Sequence, residues 1–140
     1  MADFLTPSQR SERMARIRGR DTAPELLFRK KLHALGFRYS LHSRALPGRP
    51  DLVLRRYNAV VFVHGCFWHR HPGCPIATNP KSNVDFWKEK FERNKERDRR
   101  NISQLRRAGW RVFVVWECRV SSTRKADATA RKIAGMLRRH

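Results

Sequence analysis

The chain has 140 residues and is strongly basic, with 32 Lys and Arg against 12 Asp and Glu and a formal net charge of +20. This length suits one domain that buries its own hydrophobic core. No apolar run approaches the ~20 residues that cross a bilayer, which excludes an integral membrane protein, and the first residues do not resemble a secretory signal. The charge favours nucleic acid as partner over anionic lipid or a merely solvated surface, because counterion release rewards each cation that meets a phosphate.

The N-terminal part of the chain contains a basic segment and then a helix. Residues 1–20 are basic and weakly apolar, which predicts a marginal helix or a tail that becomes ordered on a partner. Asp21 and Thr22 are expected to cap a helix that Gly36 ends. Glu25 falls on the apolar face of this helix. It either complements the helix dipole or belongs to a site.

The remaining elements alternate between strands and helices. We predict strands at 37–41, 51–54 and 59–63, a loop over 65–82, a helix over 84–107, a strand at 111–116 and a basic helix over about 124–139. The strand at 59–63 is apolar without alternation, which indicates burial on both faces. The order predicts a single α/β domain over residues 21–140, with helices packed on a central sheet.

Three cysteines and one histidine have the spacing of a metal site. Cys66, His71 and Cys74 share one polar loop, and Cys118 follows a predicted strand. A Cys3His set is typical of tetrahedral structural zinc with no open coordination position. The alternative is three buried cysteines beside surface histidines. Since three cysteines cannot all pair, the set also indicates a reducing compartment.

An acidic residue lies one strand before the histidine-rich loop. Asp51 begins a predicted strand and His64 ends the next, so antiparallel pairing would bring them together, with His69 nearby. One carboxylate with backbone and phosphate oxygens can bind Mg2+, and an imidazole beside it can take a proton from an attacking water. A Pro-Asp turn at a strand start also occurs by chance.

The long predicted helix carries a charged residue on its apolar stripe, at Asp98. A buried charge is costly unless it is paired. Its partner is either an arginine, in a structural role, or His69, which the carboxylate would orient for catalysis. The stripe consists of Val84, Trp87, Phe91, Ile102 and Leu105, with Asn94 and Asp98 at its two positions that are not apolar.

Two aromatic residues, Phe67 and Trp68, lie between the zinc ligands. They either pack onto the sheet or form a wedge that enters a base stack. A wedge unstacks a base step at a cost of a few kcal/mol and recovers it by stacking on the ring. Mismatched pairs lower that cost, which would make a wedge selective for them.

Several motifs together resemble the very short patch repair (Vsr) endonucleases, over a match from about Ser11 to Cys118. The resemblance implies a restriction-endonuclease-like α/β fold, a central mixed sheet flanked by helices, with a structural zinc loop. It also implies an enzyme that nicks DNA 5′ to the thymine of a T·G mismatch left by deamination of 5-methylcytosine. The motifs are Leu46-Pro47-Gly48-Arg49-Pro50-Asp51, Val63-His64-Gly65-Cys66-Phe67-Trp68-His69, Phe86-Trp87, Arg97-Asp98-Arg99-Arg100, Gly109-Trp110-Arg111-Val112 and Val115-Trp116-Glu117-Cys118.

The resemblance also implies residue roles. In catalysis, Asp51 would ligate Mg2+ with the backbone carbonyl of Val63, His69 would activate the water, and Glu25, His64 and Asp98 would support them. On DNA, Met14 and Ile17 would approach from the minor groove, and Phe67, Trp68 and Trp87 would wedge from the major groove. The chain departs from one form of the family pattern at Val63, where a threonine can stand, and at Pro72-Gly73, where some members have one residue fewer before the cysteine.

The resemblance also implies partners, while two other functions stay open. It implies a monomer that acts on duplex DNA carrying a T·G mismatch, with the MutL mismatch-repair protein and a repair polymerase, in the prokaryotic cytoplasm and away from membranes. One alternative is a zinc-braced DNA-binding module without catalysis, which leaves Asp51, Glu25 and His69 without a role. The other is a nickase with the same core and a different substrate.

Overall fold

A computed structural model describes residues 21–139, which form a four-stranded mixed sheet with helices on both faces. The basic segment 1–20, with Met14 and Ile17, lies outside the described residues. The elements are α1 (Ala23–Ala34), β1 (Ser40–Leu41), β2 (Leu52–Leu54), β3 (Ala59–His64), α2 (Val84–Arg107), β4 (Arg111–Trp116) and α3 (Thr123–Arg138), with 3-10 turns at Arg55–Tyr57 and Glu117–Arg119. Within 21–139, no helix is both long and apolar enough to cross a membrane.

The sheet has the strand order β1-β2-β3-β4. The first three strands are antiparallel, with Leu52 opposite Val61, whereas β3 and β4 are parallel, with Val63 opposite Val115. Because β3 and β4 point the same way, the chain must cross over between them, and α2 makes that crossover. The predicted α/β architecture, a restriction-endonuclease-like mixed sheet flanked by helices, is confirmed.

Helices cover both faces of β3, as its unbroken apolar pattern predicts. On one face Val61 joins the core formed by α1 and α3, to which Phe28 and Leu137 contribute fully buried side chains. On the other face Val60 packs with Leu105 of α2. Apolar burial, at about 25 cal/mol per Å2, therefore stabilises β3 from both faces. The end of β3 is thus a rigid base for the residues that follow it.

The first helix begins as predicted and continues into a turn that shortens the first strand. The Thr22 Oγ1 atom accepts a hydrogen bond from the Glu25 N–H at 3.4 Å. At the other end the N–H of Phe37 bonds to the Leu32 carbonyl at 3.3 Å, and Phe37 is buried in the core. This closing turn occupies part of the segment predicted as a strand over 37–41, so β1 is reduced to Ser40–Leu41.

The second helix has the predicted bounds but not all of the predicted apolar stripe. Phe91 and Leu105 are buried, whereas Val84 is 57% exposed, so the prediction of a buried Val84 is wrong. The reason is that the first half of α2 packs against aromatic rings of the 65–82 loop, with Phe67 touching Trp87 and Phe91. The sheet covers α2 further along, around Leu105.

Candidate active site and metal centre

The start of β2 and the end of β3 form one side of a cavity of about 140 Å3. Antiparallel pairing brings Asp51 beside the end of β3, where its Oδ2 atom accepts a hydrogen bond from the Val63 N–H at 2.6 Å. The strand order therefore places the predicted carboxylate where the sequence pattern indicated. The cavity lining includes five of the predicted site residues, namely Asp51, Val63, His64, His69 and Asp98.

The carboxylate of Asp98 pairs with His69, across a distance of 2.6 Å between Oδ2 and Nδ1. Of the two partners predicted for Asp98, an arginine or His69, the described residues therefore show His69. An ionised carboxylate only accepts hydrogen bonds, so the Nδ1–H group donates to Oδ2, and in the neutral imidazole Nε2 is left with a free lone pair. The pair can therefore act as an oriented base.

A second imidazole, that of His64, stacks on His69 with ring centroids 3.9 Å apart and an angle of 6° between the planes. Burial, the largest cause, and the nearby His69 together lower the pKa of His64 to about 3, although the Asp98 carboxylate opposes them. His64 is therefore neutral near pH 7, and stacking of its ring restricts how the His69 ring can rotate.

Glu25 lies buried behind Asp51, with 1% of its surface exposed. Its Oε2 atom accepts hydrogen bonds from Arg29 Nη1 at 2.7 Å and from His42 Nε2 at 3.0 Å. A residue that only complements the helix dipole would not need these contacts, which connect α1 to the segment around Asp51 at the start of β2. The sequence did not single out either partner. Arg29 could have been found from the sequence, because an opposite charge four residues after Glu25 lies on the same face of a helix. No sequence pattern indicates His42.

The buried carboxylates make this corner suited to a cation. Burial raises the pKa of Asp51 to about 8, with the adjacent Glu25 carboxylate as the second cause and the Val63 N–H opposing them. Two neighbouring buried carboxylates are unfavourable when both are ionised, and Arg29 pairs with Glu25 and not with Asp51. Hard oxygen donors of this kind fit a divalent ion such as Mg2+, and Asp51 and Val63 are the residues beside which it would bind.

The loop before Asp51 lies very close to α2 at Gly48. Gly48 has φ +77°, and a Cβ atom there would lie 3.0 Å from the side chain of Asn101. A larger residue would therefore be strained and would push this loop away from α2. Because Asp98 lies one turn before Asn101, this close approach helps to hold Asp51 opposite the His69–Asp98 pair.

The predicted Cys3His set is brought together by the fold. Cys66, His71, Cys74 and Cys118 place one ligand atom each within 4.8 Å of the others. The Nδ1 atom of His71 lies 3.6 Å from Cys66 Sγ and 3.4 Å from Cys118 Sγ. With Zn–S of ~2.3 Å and Zn–N of ~2.0 Å, the edges of a tetrahedron are roughly 3.5 Å. The set therefore fits a four-coordinate metal.

The end of β4 joins the metal centre to the cavity. Trp116 stacks on His71 with centroids 4.3 Å apart, and its edge meets the His64 ring at 5.4 Å. The Oε1 atom of Glu117 accepts a hydrogen bond from the Cys66 N–H at 2.9 Å. The sequence did not predict roles for these two residues, although both precede Cys118 in one motif. Through them, a metal at the Cys3His set would brace the loop that carries His69.

The aromatic residues of the loop form a cluster against α2. Phe67 is half-buried and lies 5.8 Å from Trp87 and 5.2 Å from Phe91, whereas Trp68 is 37% exposed. Lys90 Nζ lies 5.3 Å from the Trp68 ring. In the described residues the rings thus contact one another and α2, and Trp68 offers the more accessible face for a base.

Comparison with known proteins agrees with this geometry. The family described as DNA mismatch endonuclease Vsr matches residues 2–74. The chain is 44% identical over 125 residues to the DNA mismatch endonuclease Vsr of Escherichia coli (strain K12), covering 89% of this chain and 80% of that protein. It is 45% identical over 133 residues to the type II nicking enzyme V.XorIIP of Xanthomonas oryzae pv. oryzae, covering 95% and 97%. It is 47% identical over 122 residues to the type II nicking enzyme V.NmeAIP of Neisseria meningitidis, covering 87% and 86%.

Proposed function

Because the chain belongs to the DNA mismatch endonuclease Vsr family and is thus a DNA endonuclease, we propose that it nicks one strand of DNA 5′ to the thymine of T·G mismatches. These mismatches would arise by deamination of 5-methylcytosine, and the nick would start short-patch repair. The observation that carries the proposal is the His69–Asp98 pair, 2.6 Å apart, on the same cavity as Asp51.

The base in this reaction is His69. Asp98 holds its Nδ1 proton, so Nε2 can take the proton of the attacking water as the phosphodiester is cleaved. The Asp98 carboxylate also stabilises the imidazolium that forms, as a buried aspartate does beside the catalytic histidine of other enzymes. His64, neutral and stacked on His69, keeps the ring in place.

The cofactor would be Mg2+, held by the Asp51 carboxylate and the backbone carbonyl of Val63. When bound, it would neutralise charge that develops on the phosphate oxygens. Glu25 would support Asp51 from behind, where its own hydrogen bonds to Arg29 and His42 hold it in one orientation. Zn2+ at the Cys3His set would be structural, because four protein ligands leave no open position.

Recognition of the mismatch would depend on the aromatic cluster and the N-terminal segment. Phe67, Trp68 and Trp87 would enter the base stack from the major groove, where a wobble pair stacks less well. We propose that residues 1–20 become ordered on DNA, with Met14 and Ile17 in the minor groove, and that residues 21–140 act as one endonuclease domain. The net charge of +20 would supply the phosphate contacts.

The cellular setting is part of the proposal. The protein would act as a monomer in a bacterial cytoplasm. Because a nick needs further enzymes to be repaired, it would work with the MutL mismatch-repair protein and a repair polymerase. A second candidate, a nickase for a different sequence context, is favoured by the relatives named type II nicking enzymes. The two candidates share the site and differ in the flanking bases.

The test is a nicking assay on end-labelled duplexes that carry T·G or C·G at one position, in Mg2+ or in EDTA. We expect one nick, 5′ to the mispaired thymine, in Mg2+ alone. A set of duplexes that vary the flanking base pairs separates the two candidates. Equal cutting of T·G and C·G, or cutting of both strands, would contradict the proposed substrate, and full activity in EDTA would contradict the metal.

A further inference from the structure

The Arg70 side chain contacts several parts of its own loop. Its guanidinium donates four hydrogen bonds, and none of the acceptors belongs to the predicted catalytic or metal residues. The acceptors are the carbonyl oxygens of Phe67 (3.3 Å), Ala77 (3.3 Å) and Thr78 (3.0 Å) and the side-chain oxygen of Asn79 (2.9 Å). One side chain therefore joins the two ends of the segment 67–79.

The same guanidinium also lies on the aromatic cluster. Its Cζ atom is 4.1 Å from the ring centroid of Phe91 and 5.6 Å from that of Phe67. A planar cation at this distance from a ring is held by the ring quadrupole as well as by contact area. Arg70 is thus bound on one side by carbonyl groups and on the other by the rings of Phe67 and Phe91.

The backbone of Arg70 departs from the ordinary regions, with φ +53°. Non-glycine residues adopt this left-handed conformation at some cost, so the surrounding contacts must hold it there. The residue separates His69 of the cavity from His71 of the metal set. Its turn allows the loop to present these two imidazoles to different sites while the guanidinium reaches the 77–79 segment.

From these contacts we propose that Arg70 is a positioning residue for mismatch recognition. It fixes the Phe67 carbonyl and the Phe67 ring against α2, so that Phe67 and Trp68 approach DNA in one prepared arrangement. The inference rests on the proposed function, in which these rings form the wedge. It goes beyond that function by assigning part of the discrimination between T·G and C·G to a residue that need not touch DNA.

Arginine is suited to this role in a way that lysine is not. A guanidinium is planar and carries five N–H donors in a fixed fork, so it can serve several carbonyl groups and still lie flat on a ring. A lysine ammonium keeps the charge but not the fork. The comparison of Arg70→Lys with Arg70→Gln therefore separates geometry from charge.

The experiment measures the affinity ratio between T·G and C·G duplexes in buffer without Mg2+, by fluorescence anisotropy, for the full chain with its zinc retained. Arg70→Gln and Arg70→Lys should both lower this ratio about tenfold, equivalent to the stacking of one base. The control for the loss of one positive charge is Arg131→Gln on α3, where Arg131 pairs with Asp127 at 3.0 Å. Zinc content and melting temperature are recorded for each protein.

A double-mutant cycle shows whether Arg70 acts through the wedge. If it does, Arg70→Gln lowers the ratio little further in a Phe67→Ala background. In the free protein, Arg70→Gln should also speed amide hydrogen exchange across residues 66–79. Where Arg70→Gln does not fold, Asn79→Ala, which removes one acceptor, replaces it in the cycle and should give a smaller loss of the same sign.

The outcomes distinguish this inference from the proposed function. A parent protein without preference for T·G refutes the proposed function, whereas exchange in 66–79 still tests the loop contacts. If the parent protein prefers T·G duplexes and the folded Arg70 variants keep that preference, the inference about Arg70 is refuted and the proposed function is not. Equal losses with and without Phe67 also overturn it, because they mean that Arg70 acts on DNA directly or on the fold as a whole.

Discussion

The Nδ1 atom of His69 lies 2.6 Å from the Oδ2 atom of Asp98. His69 belongs to the loop after β3, and Asp98 follows 29 residues later, within α2. This contact explains why a charged residue interrupts the apolar stripe of α2. The carboxylate meets an imidazole at the cavity instead of an apolar surface. The pair depends on how the loop is held, and therefore on the metal centre and on Trp116, which contacts both His64 and His71.

Asp98→Asn should lower the nicking rate strongly while leaving DNA affinity nearly unchanged. The amide oxygen is a weaker, uncharged acceptor for the Nδ1–H group and cannot stabilise the imidazolium as the carboxylate does, and general-base catalysis contributes about 100- to 10,000-fold. Single-turnover nicking rates and equilibrium binding measure the two effects. Asp127→Asn, which changes an exposed carboxylate on α3, is the control. A rate within about threefold of the parent would remove Asp98 from the mechanism.

Asp51→Ala should abolish nicking and leave mismatch binding largely intact. Asp51 is the buried carboxylate of the cavity, and hydrolysis assisted by a metal depends on such a ligand. Nicking on T·G duplexes over a range of Mg2+ concentrations measures the loss, and anisotropy measures binding. Activity near the parental level at any Mg2+ concentration would show that another group binds the metal.

Asp51→Asn should stabilise the metal-free protein near neutral pH. Burial and Glu25 raise the pKa of Asp51 to about 8, so the folded state retains its proton at pH values where the unfolded chain has lost it. This contribution to the free energy of unfolding is full below about pH 4 and is lost as pH rises towards 8. The amide avoids the loss, and we expect a gain of about 1–3 kcal/mol at pH 8.

Thermal unfolding in buffer without Mg2+, at pH 5 and pH 8, tests this stabilisation. The difference in melting temperature between Asp51→Asn and the parent should be larger at pH 8 than at pH 5. Mg2+ should reduce it by stabilising the parent. A difference that does not change with pH would mean that the carboxylate remains ionised when the protein is folded.

The sequence predicted the parts of this site that depend on strand pairing and ligand spacing. Asp51 and the end of β3 are adjacent because two short strands joined by a tight turn pair antiparallel. For Asp98 the sequence left two partners open, since periodicity gives the face of a helix but not the loop that lies on it. The exposed Val84 has the same cause. His42 could not be predicted, because its contact with Glu25 depends on a left-handed backbone, at φ +46°.

One zinc ion per chain should be bound by Cys66, His71, Cys74 and Cys118. Cys118→Ser should lower the zinc content and destabilise the protein, because binding at such a site is coupled to folding. Metal analysis of reduced protein and thermal unfolding measure both effects, and Ser40→Ala, at an exposed position of β1, serves as a control. Protein free of zinc, or a Cys118→Ser variant with unchanged metal content, would contradict the ligand set.

The last prediction separates the two aromatic residues of the proposed wedge. Trp68 is 37% exposed, so Trp68→Ala should lower the melting temperature less than Phe67→Ala does. Phe67 packs on Trp87 and Phe91, so Phe67→Ala should be destabilising, by less than the ~3–5 kcal/mol of a fully buried phenylalanine. Both changes should weaken T·G preference, because each base loses stacking worth ~1–3 kcal/mol.

Binding ratios for T·G over C·G duplexes and thermal unfolding of the two single variants and the double variant test this division. The double variant should lose most of the preference, and its loss of stability should exceed that of Phe67→Ala only slightly, since Trp68 is the more exposed of the two residues. Fluorescence of 2-aminopurine beside the mismatch, which rises when a base step unstacks, should increase with the parent and not with the double variant. A double variant that is strongly destabilised beyond Phe67→Ala, yet keeps its T·G preference, would place both rings in the core and leave recognition to other residues.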